Sequence, residues 1–546
     1  MILYDWDVWH VYSSFFDTEK VDLEAAASVL VKSGIAVCAL HRDGRTWWQT
    51  DTGVRSGLTT IKLGPDRSVA DIKIEVDGGG ESGLDGYVAE AWYQASYFRF
   101  NELRVFADDF RVPPPYVRAV LGEFHLTSSE TGLNAVIYPV IKLFESSVVI
   151  VEFRTIAPNR EIPLNEFIDR FVNLAFVPFD EVEVPPPISD LATKAFYHSV
   201  ISWPLRLRTK LSRVERSHEK AVKEKSREVP SGDFVARLAP LTRAEKQIDT
   251  LASLAETLFS VIGFVLSNPR RGFAFVLLGQ RRLTLRGNWW NGRPHVHLID
   301  FEGQCSSAKE NIQMFGAEFG WILGRVAGGK SKTGLRYLSK DLRHFDDYSV
   351  FITESASLWV WSKKGIDRQS AYADPNHGHL IYEHQAIIEL LEYGYILHRA
   401  LLAKTNMTQN ANEVLSARWA INQLNSDMND VSHFGELRDL LHHGWKAMRI
   451  ENLQARISES LSIRQAESSL RETRDNERMR RWLTVLFGVI ATPTLASKVL
   501  DPIWKLLNWW RPADQGGGDL FFLSITFCSI FFIIISLSWI SKKLER

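Results

Sequence analysis

The chain has 546 residues, 45% of them apolar and 24% charged, with a formal net charge of -1. That length points to several domains of roughly 100 to 200 residues each, and the balanced charge excludes the broad basic surface of a nucleic-acid binder. Three scattered cysteines, Cys38, Cys305 and Cys528, exclude a disulfide framework and a cysteine zinc site.

The opening MILYDWDVWHVYSSF carries Asp5 and Asp7 and lacks a basic n-region, so no cleavable signal is expected. Residues 1–185 alternate β-rich runs (IAVCALHR, LTTIKLG, DIKIEV, SSVVIVEFR) with helical patterns (DLEAAASVLVKSG, LNEFIDRFVNLAF), which predicts an N-terminal mixed α/β domain. VEVPPPI makes a stiff break, and the dense charge that follows predicts a helical connector over 186–234.

A second α+β domain is expected over 235–370. Its elements are a helix at Leu251–Leu266, too short and too polar at Glu256 to span a membrane, and strands in FAFVLLG, RLTLRGNW, HVHLIDF, YSVFITE and SLWVWSK. Within it GRVAGGKS matches the phosphate-loop pattern through Gly324, Gly329, Lys330 and Ser331. A phosphate loop needs a strand before it and a helix after it. The preceding AKENIQMFGAEFGWILG has helical spacing, which puts these glycines at a helix C-terminus, the wrong end for an anion. DPNHGHLIYEH gathers His377, His379, Glu383 and His384, oxygen and nitrogen ligand types that could hold a divalent metal ion in a regulatory role. No nucleophile elbow, zincin helix or cysteine nucleophile signature appears, so no enzyme is expected; a nucleotide hydrolase using Lys330 is the enzymatic alternative.

From residue 371 strand signals give way to a helical stalk over 371–481, with helices expected at Leu380–Ala403, Ala411–Asn425 and Phe434–Trp482. Leu437, Leu441, Trp445, Met448, Leu453, Ile457 and Leu461 stripe the last of these and need a partner surface. Two apolar runs follow, giving transmembrane helices at 482–500 and 520–540, an outer loop at 501–519 and a basic tail at 541–546. Arginines before the first run and Lys542, Lys543 and Arg546 after the second put both termini in the cytoplasm and the protein in the inner membrane. The expected fold class is an α+β cytoplasmic region of two mixed domains, then an all-α stalk and two C-terminal transmembrane helices.

In RMRRWLTVLFGVIATPTLASKVLDPIWKLL, FFIIISLSWI and the terminal SKKLER, the layout resembles the CorA family of divalent-cation channels over residues 380–546. The resemblance implies a homopentamer in the lipid bilayer whose first spans line an ion pathway, carrying divalent cations such as magnesium under control of the cytoplasmic domains. The family's Gly-Met-Asn signature is missing and SKVLDPIWKLLNWW stands in its place, so magnesium specificity does not carry over. At 100° per residue Thr484, Gly488, Ala491, Leu495 and Lys498 share one helix face and are the pore-lining candidates. The alternative is a ligand-triggered membrane effector of the bacterial-defence type, released by a small molecule or nucleotide. Nucleic acid is not an expected partner in either case.

Overall fold

The computed structural model describes residues 1–16, 20–50, 53–62, 73–77, 86–106, 114–157, 161–200, 208–231, 234–241, 249–267, 292–327, 334–370, 378–407, 419, 422, 426, 435–495, 498–499, 501–507, 510, 519–528 and 530–532. Two compact units emerge, one of Met1–Met407 with Ala417–Ser458, the other of Thr408–Ser416 with Glu459–Arg546.

The strands of the first unit are β1 (Ile2–Phe15), β2 (Cys38–His41), β3 (Arg45–Thr50), β4 (Gly53–Lys62), β5 (Lys73–Asp77), β6 (Tyr116–Val120), β7 (Phe124–Ser128), β8 (Leu133–Phe144) and β9 (Val148–Ile156). They continue with β10 (Ile162–Pro163), β11 (Glu181–Val184), β12 (Arg227–Ser231), β13 (Phe234–Pro240), β14 (Arg293–Phe301), β15 (Tyr348–Ile352) and β16 (Ser357–Trp361). The main path of the sheet runs β15-β16-β14-β1-β9-β8-β6-β2-β3-β4-β5. Of the pairs along it, β14 with β16 is parallel and the rest are antiparallel. The helices that matter for the site are α1 (Leu23–Lys32), α2 (Gly86–Val105), α3 (Pro186–Val200), α4 (Arg208–Lys225), α5 (Leu251–Leu266), α6 (Ala308–Gly324), α7 (Gly378–Met407), α8 (Gly435–Ala447) and α9 (Ile450–Leu495).

β1 sits at the centre, paired with β14 on one side and β9 on the other. Residues expected to form two separate domains, 1–185 and 235–370, therefore contribute to one sheet. Because side chains alternate along a strand, Trp6, Val8 and Tyr12 join Ile141, Val151 and Phe153 on a face packed with residues of α1, α5 and α6. Trp9, Val11 and Phe15 join Tyr116, Phe144 and Ile150 on the other face, packed with residues of α2, α7 and α8. With both faces covered, β8 (LNAVIYPVIKLF) and β9 (VVIVEFRTI) read as nearly continuous apolar runs rather than alternating ones.

Local signals set the helix ends. α5 is capped by a reciprocal bond pair between Thr250 and Ser253, and α6 by the same device between Ser307 and Glu310. α6 stops where Arg325 turns left-handed. Glycines let α6 lie against the following turn: a Cβ on Gly320 would stand 1.9 Å from the carbonyl oxygen of Gly334. Since backbone cannot yield as a flexible side chain does, Gly320→Ala is expected to cost about 2–3 kcal/mol in urea unfolding; an unchanged midpoint would show that this contact is not tight.

The stalk is not one rod from residue 434. Arg449 adopts φ +57 and separates α8 from α9, while α9 runs on to Leu495 and holds Thr484, Gly488, Ala491 and Leu495. The helix expected at Ala411–Asn425 and the strands FAFVLLG and RLTLRGNW lie outside the described residues.

The two expected transmembrane helices are overturned, and with them the fold class and the inner-membrane, multi-pass localisation. Among the described residues no helix is long and apolar enough to cross a membrane. The uncharged part of α9, Trp482–Leu495, follows a densely charged stretch and falls short of the roughly 20 apolar residues that a hydrocarbon core demands. Of the second run, helix is described only within 519–528 and 530–532, where the Trp504 ring packs edge-on against Phe521 and Phe522.

Candidate ligand site

Six side chains of α2, Tyr87, Glu90, Ala91, Gln94, Ala95 and Phe98, follow one another at spacings of three, one, three, one and three, so they share one helical face. That face roofs a cavity of about 390 Å³. Alternate positions of the sheet form its floor: Trp9 of β1, Arg118 and Val120 of β6, Tyr138 and Val140 of β8, and Arg154 and Ile156 of β9. Tyr382, in the second turn of α7, and Phe234 of β13 close the sides. The volume falls in the range of small-molecule pockets.

Charge is concentrated beneath this floor to a degree that packing alone does not ask for, because ionised groups are almost never fully buried without partners. Arg118 donates from Nη1 to Glu389 Oε1 at 2.6 Å and from Nη2 to Glu152 Oε2 at 3.1 Å. Lys142 donates to Glu102 Oε1 at 2.7 Å and also to Glu389. Tyr116 donates its hydroxyl to Glu102, and Gln385 Nε2 donates to Glu152 Oε1 at 2.8 Å. Arg154 holds Asp7 Oδ2 through Nε at 2.8 Å and through Nη2, and it reaches the Tyr382 hydroxyl from Nη1 at 3.1 Å. The guanidiniums also lie over rings, Arg118 3.5 Å from the Phe98 centroid and Arg154 5.0 Å from that of Trp9.

The carboxyls differ in their grip on protons. Burial, reinforced by the charge of Glu389, pushes Glu152 well above the usual carboxylate range. Burial acts on Glu389 in the same direction, but Arg118 and Lys142 together outweigh it and hold that group low. Asp7 is raised because burial exceeds the pull of Arg154. Of the pair, Glu152 is thus the member that holds its proton more strongly and Glu389 the one held towards the ionised form.

No family model, curated protein or solved structure matches this chain. The site is therefore read from its own geometry.

The sequence-derived candidates do not converge on it. Of the metal candidates, His384 is buried on α7 with its ring 5.2 Å from Trp359 and 5.7 Å from His297, Glu383 lies 3.4 Å from Arg104, His379 is in the first turn of α7, and His377 lies outside the described residues. No group of three metal-ligating side chains occurs among the described residues. Gly324 ends α6, the helix C-terminus that the spacing indicated, while Gly329, Lys330 and Ser331 lie outside the described residues. Thr484 spends its hydroxyl on the Arg480 carbonyl at 2.8 Å, and Lys498 is exposed.

One further cluster has the composition of a nucleophile–base–acid chain. Ser357 Oγ lies 2.5 Å from His295 Nδ1, and His295 Nε2 lies 3.9 Å from Glu392. All three are at most 1% exposed and none lines the cavity under α2.

The sequence reading missed the cavity, although two signals were available. The helical face of α2 was one. The other was the isolated charge within strands otherwise apolar on both faces, as in VVIVEFRTI at Glu152 and Arg154, LNAVIYPVIKLF at Lys142 and YVRAV at Arg118.

Proposed function

We propose that the first unit is the receptor of a ligand-responsive protein, and that a small molecule bound under α2 is sensed through α7. The observation that carries this reading is the position of Tyr382 and Glu389 on one helix, the first in the cavity wall and the second in the buried charge cluster behind it. A pre-formed pocket with aromatic walls and a few fixed polar groups is the usual form of a small-molecule site, and perturbed carboxyls cluster at functional sites.

The response has a route within this unit. Gly394 of α7 packs against the Trp445 ring and Leu391 packs against Gly444, both on α8. Further along α7, His398 Nε2 lies 3.2 Å from Gln454 Nε2 at the start of α9, the helix that leaves this unit at Ser458. A shift of α7 driven by a ligand against Tyr382 is in this way delivered to α9. The ion-conduction reading depended on membrane spans and is not taken further.

Ala95 is buried in the cavity roof, so Ala95→Leu fills the space while keeping the helix former. Full-length protein purified from cells and extracted for mass spectrometry is expected to release a small molecule that the Ala95→Leu protein lacks. Identical extracts from the two proteins would remove the receptor reading.

A further inference from the structure

Two arginines in the wall of a pocket suggest an acidic ligand such as a phosphate or carboxylate. The charge count around this cavity argues the reverse. Arg118, Lys142 and Arg154 are the cations of the floor, and each is already bonded to carboxyls: Arg118 to Glu389 and Glu152, Lys142 to Glu102 and Glu389, Arg154 to Asp7. Four carboxyls thus stand against three cations, and even with the proton-holding Glu152 left out, Glu389, Glu102 and Asp7 match Arg118, Lys142 and Arg154 one for one; a fifth carboxyl, Glu90, is exposed at the rim where it accepts from Gln94 at 3.0 Å. An anion entering here finds no uncompensated positive charge. It either adds a buried negative charge or breaks an existing pair, and both cost several kcal/mol.

What the walls offer instead are ring faces and neutral hydrogen bonds. Trp9, Phe98, Tyr138, Tyr382 and Phe234 present aromatic surface. Arg154 uses three of its N–H groups on Asp7 and Tyr382, and a guanidinium has five, which leaves donors for a carbonyl or ring nitrogen. Glu90 and Gln94 at the rim suit a ligand amine or amide.

We propose that this cavity takes an uncharged or amine-bearing planar ring compound, of about the size of a purine or an indole, and excludes carboxylates and phosphates despite its two arginines. The proposal rests on the receptor reading above and adds to it the chemical class of the ligand.

The test is a ligand-observed NMR screen of the full chain at neutral pH, using ring fragments in matched pairs such as indole-3-carboxamide with indole-3-carboxylate and adenosine with adenosine monophosphate. Ala95→Leu is the blocked reference, with Gln94→Trp as a second blocked form should the first fail to fold. Fragments lost on blocking are expected to be neutral or amine-bearing and to bind about tenfold or more tightly than their acidic partners. Glu90→Gln is expected to weaken the amine-bearing fragments severalfold and to leave the uncharged ones unchanged. If acidic fragments are lost on blocking and bind as well as their amides, the charge argument falls and the receptor reading stands. If the blocked and unblocked proteins bind the same fragments, the receptor reading falls with it.

Discussion

Glu389→Gln is expected to remove about 3–5 kcal/mol of folding stability, whereas Glu152→Gln, in the same cluster, is expected to cost only about 1–2 kcal/mol. Glu389 is the ionised carboxylate that bridges Arg118 and Lys142, so its amide leaves two buried cations with one fewer counter-charge. Glu152 is pushed towards the protonated form by burial and the neighbouring Glu389 charge. A glutamine there has nearly the same shape, and its amide oxygen still accepts from Gln385, while its NH2 replaces the oxygen that accepts from Arg118 Nη2, so the loss is that of one hydrogen bond. Urea unfolding of the two variants at pH 7 separates the cases. Equal losses would mean that Glu152 is as fully ionised as Glu389 and that the charge balance of the floor is different.

The second large effect is on acid stability. His10 and His297 are buried neutral, with burial lowering each to about 3, and His295 and His384 are held well below the usual value, again chiefly by burial. Above about pH 6.5 these imidazoles are neutral in both folded and unfolded chains and contribute no pH dependence. Below it the unfolded chain binds protons that the folded one cannot, so stability falls steadily as the pH drops towards 3. Asp7, Glu152 and Glu392 act in the opposite sense, because their folded values are raised. They hold protons that the unfolded chain releases, which adds stability as the pH falls through their folded values and adds nothing further below about pH 4. There the histidine loss is joined by that of Glu389, whose folded value Arg118 and Lys142 hold low, so that its stabilisation is lost as the pH falls below the unfolded carboxylate range; cooperative acid unfolding is expected between about pH 4 and pH 3.

His297 isolates the effect. Neither of its ring nitrogens has a hydrogen-bond partner among the described residues, and its ring stacks beside Trp359 with centroids 5.2 Å apart. His297→Phe therefore gives up no hydrogen bond and is expected to be close to neutral at pH 8. At pH 5 it is expected to be about 2 kcal/mol more stable than the parent, the work of keeping one imidazole uncharged 1.5 pH units below its unfolded value. Urea titrations of both proteins at the two pH values measure this directly; the same difference at pH 5 and pH 8 would show that His297 is not buried as a neutral ring.

How much of this was legible beforehand follows from the range of each interaction. Helix signals act over a few residues, and α5 and α6 fall on Leu251–Leu266 and Ala308–Gly324, the segments that the apolar spacing marked. The same local rule placed Gly324 at the end of a helix. α2 was not picked out because its buried face includes Ser96, Asn101 and Glu102 beside its apolar residues, which blurs the amphipathic pattern. The apolar C-terminal runs were read as spans from length and hydropathy, whereas among the described residues no helix is long and apolar enough to cross a membrane.

Spacing along the chain alone determined where the short-range elements lie, since periodicity and capping are properties of neighbouring residues. Only the tertiary structure decided that β1 pairs with β14, nearly three hundred residues away, to merge 1–185 with 235–370 into one sheet. The pairings of β1 with β9 and of β9 with β8 put Asp7, Glu152, Arg154 and Lys142 on the face that α7 covers rather than out to water. The physical reason is that a strand carries two faces with the same period. Which face a charge occupies is fixed by the partner strands and by the helix that covers them, and neither is encoded within the strand itself.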